Sequence, residues 1–183
     1  MEGYKLLEKR VKDLMVDQIN KELYSAYLYL DFANYYDSNN LDGFVNWYTI
    51  QAKEEMDHAM LFYKYLHKHN EHVILGAIGK PDKEFTDYLE PTKAGLEHEK
   101  YVTSLIENIY RVANEYNDSE SMKFLKWFLD EQEEEEENAS DLIAKTEFAL
   151  ENPNGISVLN NELTKRKYKA PTLKVSNNKV PIF

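Results

Sequence analysis

Apolar residues recur at alternating spacings of three and four along four long stretches of the chain. This is the period of α-helices that bury one face. Only six glycines and five prolines interrupt the 183 residues, and every proline falls at or after Pro81. We therefore predict an all-α fold. Its long helices should span about residues 3–36, 42–69, 92–116 and 119–150, and a short fifth helix about 156–167.

The lengths of the connections predict how these helices are arranged. Short polar turns join the first helix to the second and the third to the fourth, so each pair should be antiparallel. About 20 residues separate the second helix from the third, which is long for a loop in a compact domain. A helix of ~28 residues is ~40 Å long, and ~12 extended residues cover that distance. We therefore predict a four-helix bundle with a long crossover, forming one domain over residues 1–167, followed by an extended tail over residues 168–183.

Polar side chains interrupt the apolar seam on each of the four long helices. They are Glu22, Glu55, His58, Glu99, Gln132 and Glu135. Burial of an ionised carboxylate is costly unless the charge is paired or bound to a metal. Counted from the turns at ~1.5 Å per residue, these positions fall at one level near the middle of the bundle. We expect a single buried polar layer to which all four helices contribute.

The chemistry of this layer favours a pair of divalent cations. Glu55 and His58 are three residues apart on one helix, so both can face one ion. The four glutamates supply four negative charges, which two dications would balance. Oxygen ligands with one imidazole, in a chain without cysteine, favour iron or manganese over structural zinc. The alternative is a polar network neutralised by lysine or arginine, but neither residue occurs on the seams near this level.

The overall charge agrees with a cation as the ligand. The chain carries 22 Lys and Arg against 33 Asp and Glu, a net charge of −11. All the acids lie at or before Glu162, and six bases follow it. An acidic body repels nucleic acid, so we expect no nucleic-acid partner. The mixed-charge start and the lack of an apolar run of ~20 residues predict neither a signal peptide nor a membrane span, and we expect a cytoplasmic location.

Four segments occur together in the order and spacing of a known family. They are Glu22–Tyr29, Gln51–His58, Glu97–Glu99 and Trp127–Glu135. These segments resemble the ferritins, most closely the non-haem bacterial and archaeal branch, and the likeness extends over about Tyr4–Lys165. The resemblance implies a ferroxidase that oxidises Fe(II) with dioxygen or hydrogen peroxide. It also implies storage of the ferric product as a mineral inside a shell of 24 identical chains.

The resemblance further implies roles for individual residues. Glu22, Glu55 and His58 match the first iron site. Glu55, Glu99 and Gln132 match the second, with Glu55 bridging the two ions. Glu54, Glu131, Glu134 and Glu135 match a third, adjacent iron site. Tyr29 and Trp127 match aromatic residues beside the diiron centre, although aromatic residues at seam spacing also serve as core.

Other functions make different demands on the sequence. Met56 lies where haem-containing bacterioferritins carry their haem ligand, but Gln132 and Glu135 stand where that family has a second Glu-x-x-His, so the sequence favours a site without haem. A rubrerythrin-type peroxidase needs four cysteines, and a DNA-protecting mini-ferritin lacks the fifth helix. A structural bundle or shell subunit without catalytic activity remains an alternative.

The tail and four histidines are left outside this scheme. The tail, together with the three residues before it, carries six bases. This charge beside an acidic body suggests that the tail lies against the protein; the alternative is a docking peptide for a partner. His98 points off the seam and should be exposed. The remaining three could bind a surface metal, but we favour solvated positions for them: His67, His69 and His72.

Overall fold

The computed structural model describes residues 7–175, and this range contains five helices and no strand. They are α1 (Lys9–Asp37), α2 (Asp42–Lys68), α3 (Glu90–Glu115), α4 (Ser119–Glu151) and α5 (Gly155–Leu163). The predicted all-α bundle with a short fifth helix is confirmed. No helix in the described range has both the length and the apolar character that a membrane crossing requires.

Three helix ends differ from the prediction by two residues or more. The first helix was expected from residue 3, but Leu7 is not helical and α1 begins at Lys9; residues 3–6 lie outside the described range. α3 begins two residues early because a proline fits the first turn of a helix. α5 ends at Leu163 rather than at residue 167. Asn46 of α2 donates to the carbonyl oxygen of Leu163 at 3.0 Å, which satisfies a terminal carbonyl as the chain turns away.

Asparagine forms the sharp corners between the helices. The non-glycine residues with positive φ in the described range are Asn40, Asn70, Asn117 and Asn154, with φ between 52° and 60°. Asparagine tolerates this left-handed conformation better than most residues. After the third corner, the carboxylate of Asp118 accepts from the backbone N–H of Ser121 at 3.2 Å and caps α4. These corners allow short turns between antiparallel helices.

Two apolar clusters show the direction of each helix. The first cluster takes residues from the start of α1, the end of α2, the end of α3 and the start of α4. The second cluster takes them from the opposite end of each of these helices. α1 is therefore antiparallel to α2, α3 is antiparallel to α4, and α2 runs parallel to α3. The predicted long crossover is the connection over residues 69–89, which packs along α1, where Asn20 accepts from the backbone N–H of Gly76 at 3.0 Å.

After α5, the chain returns along the bundle. Leu159 and Leu163 of α5 are buried in the second cluster. Residues 166–175, here called the C-terminal strap, then follow α2 and α4, and Leu173 and Val175 pack against the first cluster. The strap lies against the protein, as its basic charge suggested. Residues 176–183 of the predicted tail lie outside the described range.

Candidate metal centre

The polar seam residues form a buried layer between the two apolar clusters. Each side chain belongs to a residue that is at most 6% exposed: Glu22, Glu55, His58, Glu99, Gln132 and Glu135. They come from all four long helices because each helix replaces an apolar seam residue with a polar one at this level. The structure thus brings together the six residues that the seam pattern singled out.

Glu22, Glu55 and His58 are the most compact group within this layer. One potential ligand atom from each lies within 4.8 Å of the other two. The imidazole Nδ1 of His58 is 3.7 Å from Oε2 of Glu55. Among the residues that the structure describes, no other set of three or more His, Asp or Glu side chains meets at this spacing. One cation can contact all three side chains.

Two carboxylate oxygens in this group lack hydrogen-bond partners. Gln18 donates to Oε1 of Glu22 at 3.0 Å, but Oε2 of Glu22 and Oε1 of Glu55 are buried and accept no hydrogen bond from the described residues. Buried polar atoms are nearly always satisfied, and leaving a charged one without a partner is costly. Anionic oxygens beside one imidazole are a donor set that suits ferrous iron.

Glu99 and Gln132 lie on the other side of the layer. The phenol of Tyr29 donates to Oε1 of Glu99, and the amide nitrogen of Gln132 donates to Oε2 of Glu99 at 3.2 Å. The same amide nitrogen also contacts the hydroxyl of Thr103 at 3.2 Å. Because its nitrogen is engaged in this way, Gln132 has its amide oxygen available as a ligand.

Glu135 closes the layer beside a small cavity. The amide of Gln51 donates to Oε2 of Glu135 at 2.5 Å. Glu135, Glu99, Gln51 and Tyr29 are among the residues that line a cavity of about 20 Å³. A cavity of this size holds one molecule about as large as water. The layer therefore has room for one small molecule next to its carboxylates.

Burial makes these glutamates weak acids in the absence of metal. Burial raises the pKa of Glu22 to about 8, and the negative charge of Glu55 adds to the rise. Burial, with the charge of Glu99, raises the pKa of Glu135 to about 7. Burial likewise raises the pKa of Glu55 and of Glu99. A cation that binds here at neutral pH must displace protons, so its affinity should increase with pH.

Comparison with known proteins identifies the family. The sequence model of the ferritin-like domain matches residues 12–149. The chain belongs to the ferritin family. The bacterial non-haem ferritin of Staphylococcus saprophyticus is 40% identical over 131 residues, which cover 72% of this chain and 78% of the relative. The corresponding protein of Staphylococcus aureus is 36% identical over 72% of this chain and 79% of its own length.

Solved ferritin structures share the fold. An engineered closed form of the Archaeoglobus fulgidus ferritin superposes with a TM-score of 0.86 at 34% identity, covering 89% of this chain and 99% of that one. The open-pore ferritin of the same archaeon gives a TM-score of 0.86 at 35% identity over 88% and 99%. Family and fold support iron storage, and the non-haem relatives favour a site without haem over the bacterioferritin alternative.

The four residues matched to a third iron site are more dispersed in this ferritin-family chain. Glu54 and Glu131 are partly buried, Glu134 is exposed and Glu135 belongs to the buried layer. All four line a cavity of about 670 Å³ that His58 also borders. This cavity connects the buried layer with the surface between α2 and α4.

The two aromatic residues border the layer on different sides. Tyr29 is 2% exposed and stacks on Tyr48 with 5.8 Å between ring centroids. Burial and the nearby Glu99 raise the pKa of Tyr29 well above its usual value, which keeps the phenol proton in place. Trp127 meets His58 edge-on at 5.9 Å and donates from its indole N–H to Thr172 of the strap at 3.0 Å.

Three supporting residues were missed in the sequence. They are Gln18, Gln51 and Thr103, which hold Glu22, Glu135 and Gln132 respectively. Their spacing in the sequence could have indicated this role, because each of the three lies four residues from a seam glutamate on the same helix. Residues at this spacing share one face and can support each other. Arg166, which donates to Glu54 at 2.6 Å, had no such signal, since it lies beyond the last helix.

Two expectations for the histidines are wrong. His98 is partly buried rather than exposed: its Nε2 lies 2.7 Å from the hydroxyl of Ser25, and burial lowers its pKa to about 4. His69 is 7% exposed and packs on the ring of Tyr65 instead of being solvated. Tyr24 and Tyr29 of α1 cover His98, and Tyr65 covers His69, so aromatic neighbours remove both imidazoles from solvent.

Proposed function

We propose that this protein is a ferroxidase that oxidises Fe(II) at the buried layer and stores the ferric product. The observation that carries the proposal is the buried group of Glu22, Glu55 and His58. Two of its carboxylate oxygens accept no hydrogen bond from the described residues. Iron is the substrate, and the two ions bound together supply two electrons to dioxygen or hydrogen peroxide.

The side chains divide into two ligand sets. Glu22, Glu55 and His58 hold the first ion; Glu55, Glu99 and Gln132 hold the second; Glu55 bridges them. Burial raises the pKa of four carboxyl groups in this layer, so metal binding releases protons from them, and their four negative charges then balance two dications: Glu22, Glu55, Glu99 and Glu135. The amides of Gln18 and Gln51 and the phenol of Tyr29 keep the carboxylates oriented through hydrogen bonds.

The wider cavity provides a route for the metal. We assign Glu54, Glu131, Glu134 and Glu135 to a third iron site between the diiron pair and the surface. Support comes from the cavity of about 670 Å³ that these residues line together with His58. Trp127 borders this cavity on the side of His58 and shields the imidazole from water.

Storage requires a closed space, and we propose that 24 chains form a shell. Several large apolar side chains are exposed on the isolated chain, including Ile74, Phe148 and Val158, which are 66–73% exposed. Exposed apolar surface of this kind commonly marks subunit contacts. Native mass tests this proposal, because 24 chains of 21.6 kDa give a particle of about 520 kDa.

Ferrous iron oxidation tests the site. Fe(II) is added in air and the ferric absorbance near the ultraviolet edge is followed. The parent should oxidise iron rapidly, whereas Glu55→Ala combined with His58→Ala should slow the initial rate to that of iron in buffer, because both ions lose ligands. Met56→Leu is the matched control, since Met56 lies between these two residues but is 46% exposed. Equal rates for the parent and the double variant would favour the catalytically silent bundle.

A further inference from the structure

The C-terminal strap covers the cavity that leads to the buried layer. The phenol of Tyr168 donates to Asp57 of α2 at 2.5 Å, and Lys53 lies 3.4 Å from the centroid of the same ring. On α4, Trp127 donates to Thr172 at 3.0 Å. The strap is thus attached to both helices that flank the cavity and forms its outer wall.

Arg166, at the start of the strap, already neutralises one of the acidic side chains. Its Nη2 donates to Oε2 of Glu54 at 2.6 Å, and the two side chains are only 17% and 15% exposed. Charge-assisted hydrogen bonds of this kind are stronger than neutral ones. Burial raises the pKa of the Glu54 carboxyl, and the guanidinium opposes this rise. Glu54 therefore has a cation beside it before any metal arrives.

A second set of contacts keeps Arg166 near this position. Its Nη1 donates to the backbone carbonyl of Trp47 at 3.0 Å, and its guanidinium carbon lies 4.2 Å from the centroid of the Trp47 ring. Asn46 also donates to the carbonyl oxygen of Arg166 at 3.1 Å. The contacts to Trp47 do not involve Glu54. The side chain can therefore release the carboxylate and still remain bound to the bundle.

We propose that Arg166 competes with metal ions for Glu54 and so lowers the affinity of the adjacent site relative to the diiron pair. This inference rests on the proposed function, because it assigns Glu54 to iron on its way to or from the buried layer. A cation at Glu54 must displace the guanidinium, whereas Glu22, Glu55 and His58 have no such competitor among the described residues. The diiron pair therefore fills first, and the adjacent site fills only as free metal becomes abundant.

Calorimetric titration with Zn²⁺ tests this competition without any redox reaction. The parent should show tight binding at the buried layer and a weaker class of site. Arg166→Gln should raise the affinity of the weaker class on the order of tenfold, the effect of removing one partly buried charged competitor, and leave the tight class unchanged. Lys165→Gln is the matched control, because it removes the same charge from an exposed neighbouring side chain.

Glu54→Gln completes the cycle. Glu54→Gln should abolish Zn²⁺ binding to the weaker class of site. Adding Arg166→Gln to the Glu54→Gln variant should then have no further effect on Zn²⁺ binding. The competition would be refuted if the weaker class of site bound Zn²⁺ in Arg166→Gln with an affinity within about twofold of that in Lys165→Gln. If the double variant Glu55→Ala with His58→Ala still bound Zn²⁺ at the tight class of site, the proposed diiron site would be refuted. Failure of the Arg166 competition and failure of the diiron site therefore give different results.

Arg166→Lys separates competition from a purely structural role of the arginine. Circular dichroism and the thermal midpoint report whether each variant is folded. Lysine keeps the positive charge but loses the planar geometry that allows two simultaneous contacts. The weaker class should then bind Zn²⁺ with an affinity between those of the parent and Arg166→Gln. An affinity equal to that of the parent would count against the proposal, even if Arg166→Gln does not fold.

Discussion

Single buried carboxyl groups determine how the metal-free protein responds to pH. Glu22 is fully buried, and the raised pKa of about 8 means that it retains its proton at neutral pH. Burial also raises the pKa of Glu135, to about 7, so this group is partly protonated at neutral pH. In the unfolded chain both groups would titrate close to their ordinary value of 4.5. The native state therefore binds more protons than the unfolded state between these pH values.

The stability of the metal-free protein should consequently fall as the pH rises. By proton linkage, the contribution of Glu22 to the free energy of unfolding is fully present below about pH 4.5 and is lost as the pH rises through about 8. We expect the free energy of unfolding, measured by urea denaturation with a chelator present, to decrease between pH 5 and pH 8. Glu22→Gln should flatten this decrease. A parent whose stability rises across the same interval would contradict the assigned protonation.

At the scale of the helices, α5 is held by close backbone contact with α2. The backbone N–H of Gly43 donates to Oδ1 of Asn160 at 2.7 Å. A Cβ added at Gly43 would lie only 1.8 Å from the backbone oxygen of Asn160. Because the atom it would meet belongs to a backbone, a Cβ at this position would force α2 and α5 apart, and glycine avoids this. Because Arg166 follows α5 by three residues, the position of α5 also determines where the strap begins.

Gly43→Ala should therefore separate α5 from α2. We expect a loss of about 1–3 kcal/mol in the free energy of unfolding, the usual cost of overpacking, measured by urea denaturation. Gly79→Ala serves as the control, because its added Cβ would make an ordinary contact of 3.7 Å with the ring of Tyr24. A value for Gly43→Ala equal to that of the control would show that α5 is not packed as described.

The sequence predicts features that repeat with the helical period and misses those that depend on distant contacts. The polar layer was predictable because a glutamate on an apolar seam is visible from spacing alone. The pairing of Arg166 with Glu54 joins residues 112 positions apart, and Arg166 lies on no seam. The end of α5 depends in the same way on Asn46 of α2, which binds the carbonyl of Leu163. Neither contact leaves a local pattern.

At the scale of the whole molecule, the acidic body and the basic strap are parts of one electrostatic arrangement. The buried glutamates need cations, and the strap brings arginine and lysine to the mouth of the cavity that leads to them. The exposed apolar residues lie elsewhere, on the crossover at Ile74, on α4 at Phe148 and on α5 at Val158. The surfaces proposed for assembly and for metal entry are therefore separate.

Sedimentation of the native particle after iron loading tests the complete function. The protein is incubated with Fe(II) in air, and the mass and ferric iron content of the sedimenting species are measured together. We expect particles of about 24 chains of 21.6 kDa that carry ferric iron, and iron-poor particles of the same protein mass for Glu55→Ala with His58→Ala. A single 21.6 kDa chain without iron, or equal loading of the double variant, would contradict iron storage through the buried carboxylate layer.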